Sequence, residues 1–289
     1  MNEIELQALS YLPERLSDAV LRTFALWNTP IHEIRLREKR LLSVTSCQKN
    51  ISCEVICTTE EMVYTLTKIC GNSLYSYSDA IREGCIPTVC GIRVGVCGHA
   101  VFIDGHLSQV RNVTSLNIRI PHRVPGIADE LFKHMKERTS VLIYSSPGIG
   151  KTTLLRELIP LLASGKNAFR TAVIDTRYEL CAGMDLSDFT DVFYGYPRYD
   201  GIMSAVRTMS PEYIICDEIS TEQDAHALLY AHASGIAVCA SIHAGSTQEL
   251  KNITIARTLL NAHIFDFLYE IRQEGSYLRT ADNEDICYV

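Results

Sequence analysis

The chain has 289 residues, 47% hydrophobic and 21% charged, with a formal net charge of −7. That length supports one large domain or two moderate ones with real cores. The acidic balance argues against nonspecific DNA or RNA affinity, which needs clustered Lys and Arg, and no apolar run reaches the roughly 18 residues a membrane span needs.

The opening stretch "MNEIELQALSYLPERL" is acidic and amphipathic rather than cationic and then apolar, so no leader is expected and a soluble, cytosolic protein is. Apolar residues at helical spacing continue through "SDAVLRTFALW", with Pro13 breaking the pattern into two helices. "HEIRLREKRLLSVTS" alternates as strand, turn and strand. Thr58 and Glu61 form a capping-box pair opening a helical stretch from "TTEEMVYTLTKIC" to "SDAIREG". The following segment, 86–124, is rich in Val, Ile and Gly, and "DG" at 104–105 signals a hairpin. Residues 1–125 therefore predict an α+β domain. "PHRVPGIAD" marks the boundary and a helix is expected over about 126–138. Beyond it short apolar strands at 141–144, 171–175, 213–217 and 236–242 alternate with helical stretches, a rhythm that predicts a parallel sheet covered by helices over 126–289. The end reads as a hairpin with Gly275 in its turn. Eleven cysteines, odd in number and without C-x-x-C spacing, read as reduced thiols used as small core residues rather than as zinc ligands.

"VLIYSSPGIGKTTLLREL" carries the chemistry. The phosphate-loop template G-x-x-x-x-G-K-[ST] fits residues 145–152 except at its first position, where Ser145 stands. Gly148 and Gly150 let the main chain approach a phosphate closely, and the helix that starts near Lys151 adds its positive end. Lys151 is expected to reach the β- and γ-phosphates, and the Thr152 hydroxyl to ligate Mg²⁺. Ser145 removes no ligand. Together Ser146, Pro147, Gly148, Ile149, Gly150, Lys151, Thr152 and Thr153 are the candidate nucleotide-binding residues.

"EYIICDEIS" ends an apolar strand in Asp217 and Glu218, 66 residues beyond Lys151. At the carboxyl edge of a parallel sheet, Asp217 fits a carboxylate holding Mg²⁺. Glu218 fits the base or positioner of an attacking water, which favours hydrolysis over simple phosphate transfer. Asp175 and Glu179 flank Arg177 beyond another strand; they read either as a solvated loop or as help in placing metal and water. His243 ends the next strand; alone it reads as a capping or core histidine, but at this sheet edge it reads as a candidate to sense a γ-phosphate by hydrogen bonding. Arg207, ahead of the Asp217 strand, reads equally as a phosphate clamp and as a surface ion pair.

Taken together, "VLIYSSPGIGKTTLLREL", "AVIDTRYEL", "RTMSPEYIICDEIS" and "IAVCASIHAGSTQEL", with "GIRVGVCG" and "SLNIRIPHRV" upstream, resemble the stage III sporulation protein AA family, a relative of the type II and type IV secretion ATPases. The likeness runs over nearly the whole chain. It implies a RecA/AAA-like P-loop NTPase domain behind a smaller α+β domain, and an ATPase using ATP and Mg²⁺. It further implies a hexameric ring on the mother-cell side of a sporulating cell, docked on membrane-embedded components of a secretion-like channel. By position, Gly148–Thr153 match the Walker A loop, Asp217 and Glu218 the Walker B end, Asp175 and Glu179 the aspartate-box region, and His243 the histidine-box region. Besides Ser145, two positions depart from the family pattern. Thr176 replaces a carboxylate expected after Asp175, leaving Glu179 and Glu218 to position water. Phe189 stands where arginine is expected, leaving Arg177 or Arg207 to supply a contact across subunits.

Three functions follow. The first is a motor-like ATPase whose hydrolysis moves the amino-terminal domain, with "PHRVPGIAD" as the hinge region. The second is a scaffold that ATP assembles with negligible hydrolysis, which the three departures would favour. The third is a nucleic-acid-dependent ATPase, opposed by the acidic balance and by the lack of a dense basic and aromatic stretch.

Overall fold

The computed structural model describes residues 1–27, 29–47, 49–88, 91–122, 124–135, 138–181, 183–272 and 275–280, and the backbone of 285–288. The chain divides into two compact units, Met1–His122 and Arg123–Val289.

In the first unit α1 (Glu3–Ser10) and α2 (Glu14–Trp27) flank Pro13. An Asn2–Glu5 capping box closes the start of α1. Strands β1 (Glu33–Arg37) and β2 (Leu41–Ser46) follow as the alternation predicts, and β3 (Lys49–Ile56) extends them. That third strand escapes a reading by pattern, because much of it is exposed and Glu54 takes a left-handed φ of 55°. Helix α3 (Thr59–Ile69) carries the predicted Thr58–Glu61 capping box. The helical stretch then breaks: Gly71 and Asn72 adopt φ 56° and 64°, left-handed values that end a helix. A 3₁₀ turn (Leu74–Tyr77) and α4 (Ser78–Arg82) replace its continuation. Strands β4 (Cys85–Pro87), β5 (Arg93–Ile103) and β6 (His106–Arg119) complete an antiparallel sheet of order β3-β2-β1-β6-β5-β4. Asp104 and Gly105, both at positive φ, turn the β5–β6 hairpin. Leu16, Val20 and Met62 from the helices pack with Ile34, Leu36, Val94 and Ile118 from the strands in one core.

The second unit opens with α5 (Asp129–His134), shorter than the predicted helix, since Met135 is already extended; 136–137 lie outside the described residues. Then come β7 (Val141–Ser145), α6 (Lys151–Ala163), β8 (Thr171–Asp175), β9 (Thr190–Tyr194), α7 (Arg198–Thr208), β10 (Tyr213–Cys216), α8 (Glu222–Ala233) and β11 (Ala237–His243). Short helices α9 (Thr247–Asn252) and α10 (Thr254–Asn261) precede β12 (Phe267–Arg272), β13 (Gly275–Thr280) and β14 (Asp285–Tyr288). The sheet order is β14-β13-β12-β7-β11-β10-β8-β9. All strands from β12 to β9 in that order run parallel, while β13 and β14 return antiparallel. Gly275 opens β13 opposite Arg272, so the connection is 273–274, outside the described residues. The pattern also missed β9, an edge strand only half-buried.

The central strands are buried on both faces, as parallel strands under helices must be. Leu142 and Tyr144 of β7 join Ile174, Ile202, Ile214 and Leu228 in one core, while Val141 and Ile143 join Leu154, Leu158, Val173 and Ile215 in the other. Cysteines 53, 57, 70, 181, 216 and 239 are buried and free, whereas Cys47 and Cys97 are exposed; Cys90 and the Cys287 side chain lie outside the described residues. Burial pushes the Cys70 thiol up to about 11 and the Cys216 thiol to about 12, so both stay protonated and inert.

Gly201 lets α7 lie close on β8: a Cβ there would stand 2.7 Å from Ile174 Cγ2 and 3.2 Å from Tyr196 Cβ. Alanine would gain up to about 1 kcal/mol of helix propensity, but the methyl it meets is branched at Cβ and cannot swing away, and overpacking costs about 1–3 kcal/mol. Gly201→Ala is expected to destabilise the second unit by about 1–2 kcal/mol net, read as a lower urea midpoint.

Candidate functional site: the carboxyl edge of the parallel sheet

Because the parallel strands share one direction, Ser145, Asp175, Asp217 and His243 arrive together at one edge of the sheet. The loop between β7 and α6 turns on Gly148 (φ 78°) and Gly150 (φ 116°), both in a region side chains rarely adopt, with open space where a Cβ would stand. Gly148, Gly150, Lys151, Thr152, Thr153, Asp217, Glu218 and His243 line a cleft of about 210 Å³.

Within it the Thr152 hydroxyl donates to Asp217 Oδ2 at 2.6 Å, and the Ser241 hydroxyl donates to Asp217 Oδ1. Lys151 is buried and folded back: Nζ donates to the Ser145 carbonyl at 3.0 Å, to Ser145 Oγ at 3.2 Å and to His243 Nδ1 at 2.8 Å. Burial holds its ammonium below the ordinary lysine value, against the opposing pull of Asp217 and Glu218. With Nδ1 accepting, the other ring nitrogen of His243 donates to Glu218 Oε1 at 3.2 Å. Arg177 pairs with Glu218 Oε2. Lys151, His243, Glu218 and Arg177 thus form one connected polar chain across the cleft mouth. Ser145, the departure from the template, is the buried last residue of β7 and supplies two acceptors to that lysine.

Asp175 ends β8 at the same edge of the sheet. It is buried, and its oxygens accept from the Glu179 N–H at 2.7 Å and the Cys181 N–H at 3.0 Å, shaping the loop after β8. Burial raises its pKa, and main-chain hydrogen bonds from Cys181 and Leu180 oppose the rise. The half-buried Glu179 lines a small recess beside Asp175, Thr176, Arg177, Arg198, Asp217 and Glu218, and its carbonyl accepts from Arg156. The structure does not bring Arg207 to this edge. It is exposed in the last turn of α7, nine residues from Arg198 and so about 13 Å further along the helix axis. Phe189 likewise precedes β9 at the opposite edge of the sheet, 49% exposed.

Three participants carried no signal in the sequence. Ser241 bridges Asp217 to the Glu218 N–H at 2.9 Å, and Arg198 donates from Nε to the Asp217 carbonyl at 2.6 Å. Asp224 pairs with Arg198 at 3.4 Å. Each acts through a contact closed by folding.

Among the described residues no helix is long and apolar enough to cross a membrane, and no group of three or more His, Cys, Asp or Glu side chains is placed to hold a metal ion. A larger groove of about 990 Å³ lies in the first unit under α3, α4 and the β5–β6 hairpin. Its Asp79 and Arg82 pair with each other at 3.0 Å.

The glycine-turned loop at a helix start, joined to a strand-end carboxylate in a mostly parallel sheet, defines a P-loop α/β fold. Solved structures agree on the fold: the pilus retraction motor PilT with bound ADP gives a TM-score of 0.62 at 15% identity, covering 90% of this chain and 81% of that one. The ATPase DotB of Yersinia pseudotuberculosis gives 0.61 at 15% identity, covering 93% and 76%. The chain belongs to the "Sporulation stage III, protein AA" family, whose model matches residues 7–280. It is 30% identical to the stage III sporulation protein AA of Bacillus subtilis (strain 168) over 282 residues, 94% of this chain and 91% of that one. A partial likeness, 31% over 148 residues, extends to the Arabidopsis thaliana protein SEEDLING PLASTID DEVELOPMENT 1, of which it spans 22%.

Proposed function

We propose that this chain is an ATPase, with residues 126–289 as the catalytic domain and Mg-ATP as substrate, working as a motor subunit of a secretion-like apparatus during endospore formation. The observation that carries the reading is the Thr152 hydroxyl placed 2.6 Å from Asp217 at the foot of the loop that holds Lys151. A hydroxyl and a carboxylate as neighbours are the oxygen donors Mg²⁺ takes, so the residues fit the ion. Bound there, Mg²⁺ supplies charge neutralisation at the terminal phosphates.

In this reading the residues of 146–153 wrap the phosphates and Lys151 leaves its carbonyl acceptors for them. Departure of Lys151 takes the donor from His243 Nδ1, which then reports the occupied site to Glu218 through the 3.2 Å contact. Glu218 orients water and accepts its proton. Glu179 lines the recess next to it. Arg177, 50% exposed, is the arginine available to phosphate or to a neighbouring subunit, and Arg207, in the last turn of α7, is left to contacts away from this cleft. A homo-oligomeric, hexameric ring and docking on membrane-embedded channel components follow from the family resemblance, and the amino-terminal unit is the element that hydrolysis would move.

The engagement of Glu218 by both Arg177 and His243 favours one alternative: ATP binds and assembles the protein while hydrolysis stays negligible. Phosphate release from Mg-ATP across a range of protein concentrations separates the two. Turnover rising more than proportionally with concentration is expected for an ATPase completed between subunits; nucleotide binding with no turnover at any concentration would establish the scaffold instead.

A further inference from the structure

We infer that Arg198 is a positioning residue for the Glu218 carboxylate: its guanidinium ties the main-chain carbonyl of Asp217 to the buried Asp224 carboxylate and thereby holds the turn that presents Glu218. The inference rests on the role given to Glu218 above.

Glu218 has φ 55°, a left-handed conformation that a residue with a side chain keeps only where its surroundings impose it. Two clamps impose it. On the β11 side the Ser241 hydroxyl accepts from the Glu218 N–H at 2.9 Å, and the Ser241 carbonyl accepts from the Ile219 N–H at 2.8 Å. On the α7 side Arg198 Nε donates to the Asp217 carbonyl at 2.6 Å, while its NH1 pairs with Asp224 Oδ2 at 3.4 Å. That same Asp224 oxygen accepts from the Ser220 and Thr221 N–H groups, each at 3.0 Å, closing the capping box of α8. The Arg198 and Asp224 side chains are 12% and 5% exposed, so neither is a solvated surface charge. The guanidinium fork can meet a carbonyl and a carboxylate in one plane, a geometry that the single ammonium of lysine cannot reproduce. Among the described residues, the hydrogen bonds of Arg198 go to Asp217 and Asp224 and not to the phosphate loop. The clamp holds the Asp217 carbonyl rather than the Asp217 carboxylate that faces Thr152, so its main effect falls on the turn that presents Glu218.

Arg198→Lys keeps the charge beside Asp224 and loses the fork; Asp224→Asn keeps acceptors for the Ser220 and Thr221 amides and loses the charge. Each is expected to lower kcat by about 10- to 100-fold with the Kd for Mg-ATP within about twofold of the parent. The double variant should be no worse than the poorer single one, because the pair acts as a unit. In nucleotide-free protein, amide exchange at Glu218 and Ile219 should accelerate by about tenfold or more, while Leu154 in the first turn of α6 keeps its protection. Unchanged exchange at 218–219 in Arg198→Lys would overturn the assignment. So would a loss of kcat accompanied in step by loss of Mg-ATP affinity and a lower melting temperature, the mark of a purely structural ion pair. A parent protein without turnover would remove the ATPase reading, and the exchange comparison would still decide the place of Arg198.

Discussion

Glu218→Gln is expected to lower Mg-ATP turnover by about two to four powers of ten, the usual contribution of a positioned base, while leaving nucleotide binding intact. The amide keeps an oxygen to accept from His243 but cannot take a proton from water or pair with Arg177. Lys151→Ala is expected to act at the other step, abolishing binding, because in the proposed reading its Nζ is the cation that the loop carries to the phosphates. Isothermal titration with a non-hydrolysable ATP analogue and steady-state phosphate release, measured on both variants, check the pair. Full turnover in Glu218→Gln would hand the water to Glu179, the second glutamate of the adjoining recess.

The largest stability effect is expected away from the cleft. Glu270 on β12 is fully buried and accepts from Arg279 NH1 at 2.6 Å, Arg272 Nε at 2.5 Å and the Tyr144 hydroxyl at 3.0 Å; Tyr144 also shares a hydrogen bond of 2.8 Å with Thr247. This network joins the β12–β13 hairpin to the residue just before the phosphate loop. Arg279, 12% exposed, is the buried counter-charge, whereas Arg272 is 45% exposed and contributes less. Arg279→Leu leaves a carboxylate buried with too little compensation and is expected to cost about 3–5 kcal/mol. The paired change Glu270→Leu with Arg279→Leu should recover much of that loss, since a buried ion pair can be replaced by apolar groups of similar volume at little cost. Urea unfolding of the two singles and the double measures the coupling.

The same carboxylate predicts an acid limb. Burial pushes the Glu270 pKa up, but hydrogen bonds from Arg272, Arg279 and Tyr144 outweigh it and hold the folded value below the ordinary one. A depressed folded pKa means the unfolded chain binds the proton more readily. The contribution is therefore complete above the unfolded value of about 4.3 and is lost as pH falls through the folded value. Thermal midpoints measured from pH 6 down to pH 3 should fall less steeply in the double variant than in the parent.

The sequence by itself determined whatever depends on neighbours along the chain. Eight consecutive residues hold the phosphate loop, so Gly148, Gly150, Lys151 and Thr152 were legible together. The Thr58–Glu61 cap, the Pro13 break and the 104–105 turn are likewise set within four residues. Apolar runs marked the central strands because burial on both faces leaves no room for polar positions, and the direction common to parallel strands then put Asp217 and His243 at the loop's edge. Tertiary structure decided the remainder. The half-exposed strands β3 and β9 owe their existence to pairing partners rather than to an apolar pattern. The bonds from Arg198 to Asp217 and from Ser241 to Glu218 close over 19 and 23 residues, and the Tyr144–Glu270 bond over 126. No periodicity encodes such meetings. Arg207, read beside Arg177 as a candidate for phosphate, was carried to the far end of α7 by helix geometry, and Arg198 at its near end took the place beside the carboxylates.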